Sequence, residues 1–454
     1  MTTTMQQRTE PNRYDSPFKT FPSMKRSEIN NSSSDSVNRT IPYPSSEYEQ
    51  PIRQDPIQKD IRDYSPIARQ FYEIYQRTIE DVKTFTPSIQ LKWCETLLWV
   101  SQDPDFISHY TINGEKLKRE LNNSEIQRNS KIIIEHAFKV LTKLIKLKYP
   151  DAYYLMGCLY SHRVTQFSLS NYDFINQNDK KALNYYCEAA KMGHSESSYR
   201  AGICYEFNKG TNELEMSSDA KLSTAITYYK LGALKCNNTD CMFKLGIFYL
   251  NSDDNIKEGI QWLEKATNIG KSSQACYELG KIYEFDTLNE SLQKKLILQG
   301  IIKDPIRSIE YYYKCAQEFD YPLAQWRLGT CYEFGEMNLP VNCIKSIGWY
   351  MRASQSSITK KRNSNPVAML SLAGWFFTGS QDVLIPDYEE SFKWIYKSCL
   401  ISEGKLARSE YILGYYYYNG IGTKINYDLA IQHMNKAAKL GHSKAVDLLS
   451  LWNK

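Results

Sequence analysis

Cysteine and histidine are the residues of this sequence that could most readily act as nucleophiles, bases or metal ligands. The chain of 454 residues has 11 cysteines and 6 histidines, yet no C-x-x-C pair occurs. Metal and redox sites usually show such close spacing. Cys315 and Cys399 stand at positions that alanine fills elsewhere in the chain, and Cys158, Cys204 and Cys331 lie in apolar helical segments. We therefore interpret the thiols as small packing residues.

Other candidate motifs also have structural interpretations. His194 and His442 both belong to Gly-His-Ser sequences, and their recurrence indicates a common turn more than acid–base chemistry. The run 270–272, Gly-Lys-Ser, resembles the end of a phosphate loop, but Lys265 replaces the first glycine and the preceding segment has a helical pattern. The basic run 360–362 is typical of a solvated turn. We predict no catalytic, cofactor-binding or metal-binding residue, and no enzymatic activity.

Composition excludes several classes of protein. Hydrophobic residues make up 42% and charged residues 24%, a balance typical of globular chains. The net charge of +5 is too small to indicate nucleic-acid binding. The first residues are polar, and no run of 18 apolar residues occurs. We expect a cytoplasmic protein with reduced thiols and no integral membrane segment.

Residues 1–65 differ in composition from the rest of the chain. They contain seven prolines and ten serines, and about a quarter of them are apolar. Such a segment cannot bury enough apolar surface to offset the entropy of ordering. We predict a disordered tail over 1–65.

A repeated pattern in the remaining sequence predicts the fold. Small residues recur at intervals of 34 to 49 residues, each preceded by Leu, Met or Ala and followed three residues later by Tyr or Phe. Alanine often stands five residues earlier, and steps of four place these side chains on one helical face. We call the small residues pivots: they are Gly157, Gly202, Gly246, Gly280, Gly329, Ala373 and Gly414.

A second helix is predicted after each pivot helix. It opens with a small residue, such as Ala182, Ala225 or Ser308, and carries an aromatic residue or histidine three positions later. We expect that ring to enter the gap at a neighbouring small residue, as ridges-into-grooves packing requires. Aromatic residues at this position include Tyr185 and Tyr311.

Seven such helix pairs predict an all-α fold, an α-solenoid in which each repeat packs on its neighbours. Residues 131–148 are interpreted as an incomplete leading repeat, and the helix that opens at residue 441 as a terminal cap. The predicted organisation is therefore the tail, an N-terminal helical region over 66–130 with one helix near 89–99, and a solenoid over 131–454.

A solenoid without an active site offers an extended groove for a protein or peptide. In each first helix, offsets −6, −2, +1 and +5 from the pivot point away from the packed face. The predicted groove residues are Arg200, Phe207, Lys244, Glu278, Lys281, Phe285, Arg327 and Phe334. We expect the four cations to form a ladder that binds an acidic segment, and the phenylalanines to hold apolar side chains. Reversing the four charges should leave the fold intact. The alternative to a binding groove is that this face is simply exposed to solvent.

The repeat pattern resembles the Sel1-like repeat, a relative of the tetratricopeptide repeat. Residues 409–420 and 429–441 carry the motif A-x-x-x-L-G-x-x-Y-x-x-G and the small–apolar–aromatic motif most fully. Residues 91–98, 106–110, 114–117, 329–335, 339–341 and 383–386 add a further likeness. In that order, they resemble the fungal chitin synthase activators over roughly residues 66–450.

This resemblance implies a non-catalytic activator or scaffold that binds a membrane chitin synthase during synthesis of wall, septum or spore-wall chitin. It also implies a partner at a septin-linked bud-neck scaffold, and a peripheral location at the plasma membrane or septum. Some members of the family end in a prenylated C-a-a-X box, whereas the last cysteine here is Cys399, so no lipid anchor is expected. The alternative is a general cytosolic Sel1-repeat adaptor in signalling or protein turnover.

Overall fold

The structure is a computed structural model that describes residues 63–80, 86–162, 176–211, 216–252, 255–355, 364–381 and 383–452. Within these ranges the chain forms 20 α-helices, and the only β-type pairing consists of two isolated bridges. The described residues belong to one compact unit. The predicted all-α fold is confirmed.

The helices follow one another with short connections. They are α1 (Pro66–Glu80), α2 (Pro87–Val100), α3 (Pro104–His109), α4 (Asn123–Lys146), α5 (Pro150–Tyr160), α6 (Asp179–Lys191), α7 (Ser195–Glu206), α8 (Ser218–Cys236), α9 (Thr239–Asn251), α10 (Ile256–Asn268), α11 (Ser273–Glu284), α12 (Glu290–Leu298), α13 (Pro305–Glu318), α14 (Pro322–Phe334), α15 (Cys343–Ser354), α16 (Pro366–Thr378), α17 (Tyr388–Ile401), α18 (Ala407–Asn419), α19 (Tyr427–Lys439) and α20 (Ser443–Trp452).

Seven helix pairs lie where the pivots predict them, and consecutive pairs pack on one another. The pairs are α5 with α6, α7 with α8, α9 with α10, α11 with α13, α14 with α15, α16 with α17, and α18 with α19. We call these repeats 1 to 7. The short helix α12 lies in the long loop of repeat 4, and α20 packs on α19 at the end of the stack, where the cap was predicted.

The start of the stack differs from the sequence prediction. Helix α4 packs against α2, so the leading repeat that was predicted to be incomplete has a partner. The predicted boundary at residues 130 and 131 falls inside α4. The predicted helix near 89–99 is α2, and its Trp93 and Leu97 share a buried core with α5. We therefore place the start of the stack at α2.

Most of the predicted tail, residues 1–62, lies outside the described part of the chain. Its last residues pack on the helices, which corrects the predicted limit at residue 65. Tyr64 is buried, and its ring makes edge contacts with Tyr72 and Tyr110. The Ser65 backbone N–H donates to the Tyr110 hydroxyl at 2.9 Å. One aromatic side chain thus anchors the entry to α1.

Side-chain caps explain where six of the seven second helices begin, the exception being α10. A helix leaves its first backbone N–H groups without partners, and Asn, Asp or Ser at the N-cap accepts one of them. Asn178, Ser217, Asp304 and Asn342 each accept a hydrogen bond from the backbone N–H three residues later. Asp387 and Asn426 do the same in repeats 6 and 7. The loops can therefore vary in length without moving the helix starts.

Five of the six pivot glycines lie under a side chain of the second helix of their own repeat, whereas the backbone of α19 lies closest to Gly414. A Cβ atom at Gly202 would lie 2.3 Å from the Tyr229 ring, and one at Gly280 would lie 2.6 Å from the Tyr312 ring. These tyrosines stand four residues after the small residue, so the prediction that the ring at the third position fills the gap is wrong. Successive residues on a helix are about 100° apart, and the fourth position faces the crossing.

The aromatic residues at the third position make a different contact. They stack on the tyrosine that follows the pivot by three residues, with ring centroids 5.7–5.8 Å apart and planes within 12° of parallel. The stacked pairs are Tyr160 with Tyr185, Tyr205 with Tyr228, Tyr283 with Tyr311, and Tyr417 with His433. Two aromatic layers in these repeats help to explain why the chain needs 35 tyrosines.

The tight crossing predicts the effect of adding one methyl group at a pivot. Gly280→Ala places a Cβ against the fully buried Tyr312 ring, which cannot move away without disturbing repeat 4. Overpacking of this kind costs about 1–3 kcal/mol, so the free energy of unfolding in urea should fall by that amount.

Gly374→Ala is the matched control, because Gly374 also lies in a first helix but a Cβ atom added there would have no neighbouring atom within 4 Å. Alanine there should raise the free energy of unfolding by about 0.5–1 kcal/mol through its better helix propensity. Equal effects of the two alanines would contradict the tight crossing.

Candidate partner-binding groove

The eight predicted groove residues all lie on first helices or at their ends. Arg200 and Phe207 belong to repeat 2, Lys244 to repeat 3, and the other five to repeats 4 and 5. Phe207 and Phe334 are exposed, as the prediction requires. Their rings are therefore available to a partner.

Phe285 is a correction to the predicted groove. Its side chain is buried in a core that includes Leu279 and Leu296. It follows the last residue of α11 with a positive φ of 73°, and its carbonyl oxygen accepts a hydrogen bond from the Gln293 side chain. The chain turns here toward α12, so the ring points inward and offers no anchor.

The four cations of the predicted ladder are already paired within the chain. Each of them pairs with a glutamate of the chain and is at least partly buried. The pairs are Arg200 with Glu196 at 3.0 Å, Lys244 with Glu206 at 2.9 Å, Lys281 with Glu278 at 2.8 Å, and Arg327 with Glu284 at 2.5 Å. Arg327 also pairs with Glu336. Because glutamates of the chain already neutralise these cations, an acidic segment would have to displace those glutamates.

Two of these pairs belong to a motif that joins successive repeats. The Tyr229 hydroxyl and the Lys244 ammonium both donate to Glu206, which links repeats 2 and 3. In repeats 4 and 5, the Tyr312 hydroxyl and the Arg327 guanidinium both donate to Glu284. We call this arrangement the carboxylate seam. Each carboxylate lies four residues after a pivot, and each cation lies two residues before the next pivot.

Sequence reasoning missed the carboxylates of the seam, although a signal was present. The tripeptide Tyr-Glu-Phe occurs three times, at residues 205–207, 283–285 and 332–334. Each copy follows a pivot glycine at the same spacing, and each glutamate receives a hydroxyl from the tyrosine that covers that glycine. A recurring charged residue at a fixed offset could have been read as part of the packing.

The third carboxylate of the seam lacks a cation from the next repeat. The Tyr350 hydroxyl donates to Glu333 at 2.5 Å. At the position that corresponds to Lys244 and Arg327, repeat 6 has Ser371. No described residue forms an ion pair with Glu333. Burial raises the pKa of the Glu333 carboxyl group, whereas the hydrogen bond from Tyr350 and the more distant charge of Arg408 lower it.

Two adjoining clefts open between the first helices of repeats 4 to 7. The polar cleft, of about 690 Å³, contains Lys281, Glu284, Lys303 and Arg327. The aromatic cleft, of about 520 Å³, lies between α14, α16 and α18. It is lined by Trp326, Glu333, Phe334, Leu370, Phe377, Arg408, Tyr411 and Tyr415, among others. Trp326, Thr330 and Phe334 line both clefts and form the wall between them.

The residues considered for chemistry have structural roles where the structure describes them. The His194 ring stacks on Tyr154 with centroids 4.6 Å apart and caps α7, and His442 stacks in the same way on Tyr411 at 4.3 Å. Burial lowers the pKa of His194, although Asp151 opposes the shift. Ser272, in the sequence resembling a phosphate loop, caps α11.

The cysteines and the acidic residues form no cluster of metal ligands within the described ranges. Nine of the 11 cysteines are buried and all are free thiols. The basic run 360–362 lies outside the described residues. Among the described side chains, no three from His, Cys, Asp and Glu come together as metal ligands would. Over the same ranges, no helix has both the length and the apolar character needed to cross a membrane.

The seam predicts a strong effect of removing its most buried cation. Glu284 is about 1% exposed, and Arg327→Gln would leave its carboxylate without a neutralising charge. Breaking a buried pair on one side costs about 3–5 kcal/mol, so urea unfolding should show a loss of that size. Charge reversal at Arg327 should cost more still. Because of this buried pair we expect the fourfold reversal to destabilise the fold, contrary to the expectation from the sequence.

Lys393→Gln is the control, because Lys393 forms an exposed pair with Glu390 on a second helix. Its loss should change the free energy of unfolding by about 0.5 kcal/mol or less. The double variant Glu284→Gln with Arg327→Gln should recover part of the loss. If Arg327→Gln were as mild as Lys393→Gln, the seam would not hold repeats 4 and 5 together.

Comparisons with known proteins agree with this architecture. The Sel1 repeat family matches residues 150–194, 239–271, 273–290, 296–318, 322–357, 366–400 and 407–442. Repeat 2 lies almost entirely outside these matches, yet it forms the same helix pair. A crystal structure of a Sel1 repeat protein from Oxalobacter formigenes covers 89% of this chain and 97% of its own, with a TM-score of 0.51 and 16% identity. That likeness concerns the fold alone.

Three curated relatives share long segments with this chain, which spans less than two thirds of the length of each. Activator of C kinase protein 1 of Saccharomyces cerevisiae is 48% identical over 85% of this chain and 62% of its own length. Chitin synthase regulatory factor 3 of Schizosaccharomyces pombe is 31% identical over 65% of this chain and 28% of its own. Chitin synthase regulator SKT5 of S. cerevisiae is 28% identical over 83% and 49%. The chain belongs to the Sel1-repeat proteins and, among them, to the fungal family that includes the chitin synthase regulators.

Proposed function

We propose that this chain is a non-catalytic regulator that binds a membrane chitin synthase and activates or localises it. The observation that carries the proposal is the similarity to two proteins named as chitin synthase regulators, which extends over 65% and 83% of this chain. The longer of these matches is long enough that it must include most of the repeats. A stack of helix pairs suits such a role because it offers a long surface to a protein partner.

The geometry of the groove supports a protein partner over a small substrate. The two clefts adjoin along one wall and together extend over the first helices of four repeats. Phe334 and Tyr415, at the aromatic cleft, are exposed rings of the kind that dominate binding energy at protein interfaces. Under this proposal the chain reaches the plasma membrane or septum through its partner, and a septin-linked scaffold would be a second partner there.

A second candidate function is that of an adaptor in kinase signalling. The relative that is 48% identical to this chain is named Activator of C kinase protein 1. A repeat protein can serve as an adaptor for more than one partner, because different repeats present different surfaces. The two candidates differ in what the chain binds at membranes, and that difference can be measured.

Affinity purification from detergent-solubilised membranes separates the two candidates. The tagged full chain should enrich a chitin synthase catalytic subunit at least tenfold over the tag alone, as measured by quantitative mass spectrometry. Recovery of soluble kinases without any glycosyltransferase would favour the adaptor. Turnover of a sugar nucleotide by the purified chain without a partner would contradict a non-catalytic role.

Cells that lack the protein provide an independent test. Wall chitin should fall while the amount of the synthase stays the same, because a regulator changes the activity or position of the enzyme and not its synthesis. Chitin should be measured during vegetative growth and during sporulation. Unchanged chitin under both conditions would contradict the proposal.

A further inference from the structure

The carboxylate seam is complete at two of its three positions, and the incomplete position opens into the aromatic cleft. We propose that this cleft binds a partner segment with one lysine or arginine next to apolar side chains, and that its cation pairs with Glu333. The inference rests on the proposed function only in that the partner is a protein. It specifies the chemistry of the segment and the residues that recognise it.

The chain itself shows what Glu333 lacks. Glu206 and Glu284 each accept a tyrosine hydroxyl and a cation from the following repeat. Glu333 accepts the hydroxyl of Tyr350, but Ser371 stands where the cation would be. The Ser371 hydroxyl donates to the Val367 carbonyl within its own helix and carries no charge. A carboxylate with two oxygens therefore keeps an acceptor position that the other two repeats fill with a cation.

Burial makes a cation at this position favourable. Glu333 is partly withdrawn from water, and this withdrawal is the main reason that the pKa of its carboxyl group is raised. An arriving ammonium or guanidinium group would stabilise the ionised form at short range. Glu336 lies nearby with the same charge as Glu333, and it pairs with Arg327, which Glu284 also shares.

Among the described residues, Arg408 is the one cation that lines the aromatic cleft, and it does not complete the seam. Arg408 of α18 is exposed and acts on Glu333 from a distance, without forming an ion pair with any described residue. Its charge would repel a run of basic residues entering the cleft. A single cation among apolar residues therefore fits better than a polybasic segment.

The walls of the cleft supply the apolar part of the site. Phe334 is 64% exposed, Phe377 38% and Tyr415 41%, and all three line the same cavity. Its volume of about 520 Å³ is within the range of pockets that hold a ligand or a few side chains. Apolar side chains that flank the cation would cover these rings and exclude water from the Glu333 pair.

Panning of a random library of 12-residue peptides against the purified full chain tests the chemistry of the site. Selected peptides should carry one Lys or Arg flanked by Leu, Ile, Met, Val or Phe. A selected arginine peptide and its twin with citrulline, which has nearly the same shape but no charge, are then compared by fluorescence anisotropy. The arginine peptide should bind at least tenfold more tightly.

Variants of the chain test whether the peptide binds at Glu333. Ser371→Arg installs the cation that repeats 3 and 5 already have, so it should abolish the preference for arginine over citrulline. Glu333→Gln keeps an acceptor for Tyr350 and should have the same effect without adding bulk. Glu390→Gln, at an exposed pair of α17, should leave the preference unchanged. Circular dichroism and urea unfolding check that each variant is folded.

The proposal is overturned if panning enriches no peptide, if the selected peptides are acidic, or if arginine and citrulline twins bind equally. Equal preference in Glu333→Gln and the unaltered chain would also overturn it. Such results would leave the proposed function standing if membranes still yielded a chitin synthase. Conversely, a confirmed arginine site with no chitin synthase recovered would retain the site and reject the proposed partner.

Discussion

The close contact between a pivot glycine and the tyrosine ring of the second helix is the interaction on which the other features depend. At Gly280 the ring of Tyr312 occupies the space where a Cβ atom would lie. The ring is held in one orientation, and its hydroxyl therefore reaches Glu284, one helical turn beyond the pivot. Because that carboxylate also takes Arg327 from the next repeat, the packing within one repeat positions the link to its neighbour.

Variation of this unit along the chain gives the surface its specificity. In repeat 3, Leu263 replaces the tyrosine over Gly246, and a hydroxyl is no longer presented. In repeat 5 the tyrosine and the carboxylate are both present, but the following repeat supplies Ser371 in place of a cation. A solenoid can lose one link in this way because each repeat is held by two neighbours. The lost link leaves a charged, partly buried group beside exposed aromatic rings, and this combination favours recognition of a partner.

Much of the architecture was predictable from sequence because it depends on short-range spacing. Small residues at fixed offsets gave the seven helix pairs, and helical periodicity gave α2 ahead of them. The site was less predictable because it depends on contacts between residues about 40 positions apart. The pattern placed Lys244 and Arg327 on the right face, but it could not show that Glu206 and Glu284 neutralise them. The inward turn of Phe285 follows from a positive φ that no periodicity encodes.

Site-specific photo-crosslinking in living cells tests most directly that the first-helix surface of repeats 5 to 7 binds the partner. Benzoylphenylalanine would replace Phe334 or Tyr415 in the aromatic cleft, or Leu400, which is 66% exposed on the second helix α17. We expect crosslinks to a chitin synthase from positions 334 and 415 and none from position 400. Crosslinks from position 400 alone would contradict a partner site on the first helices.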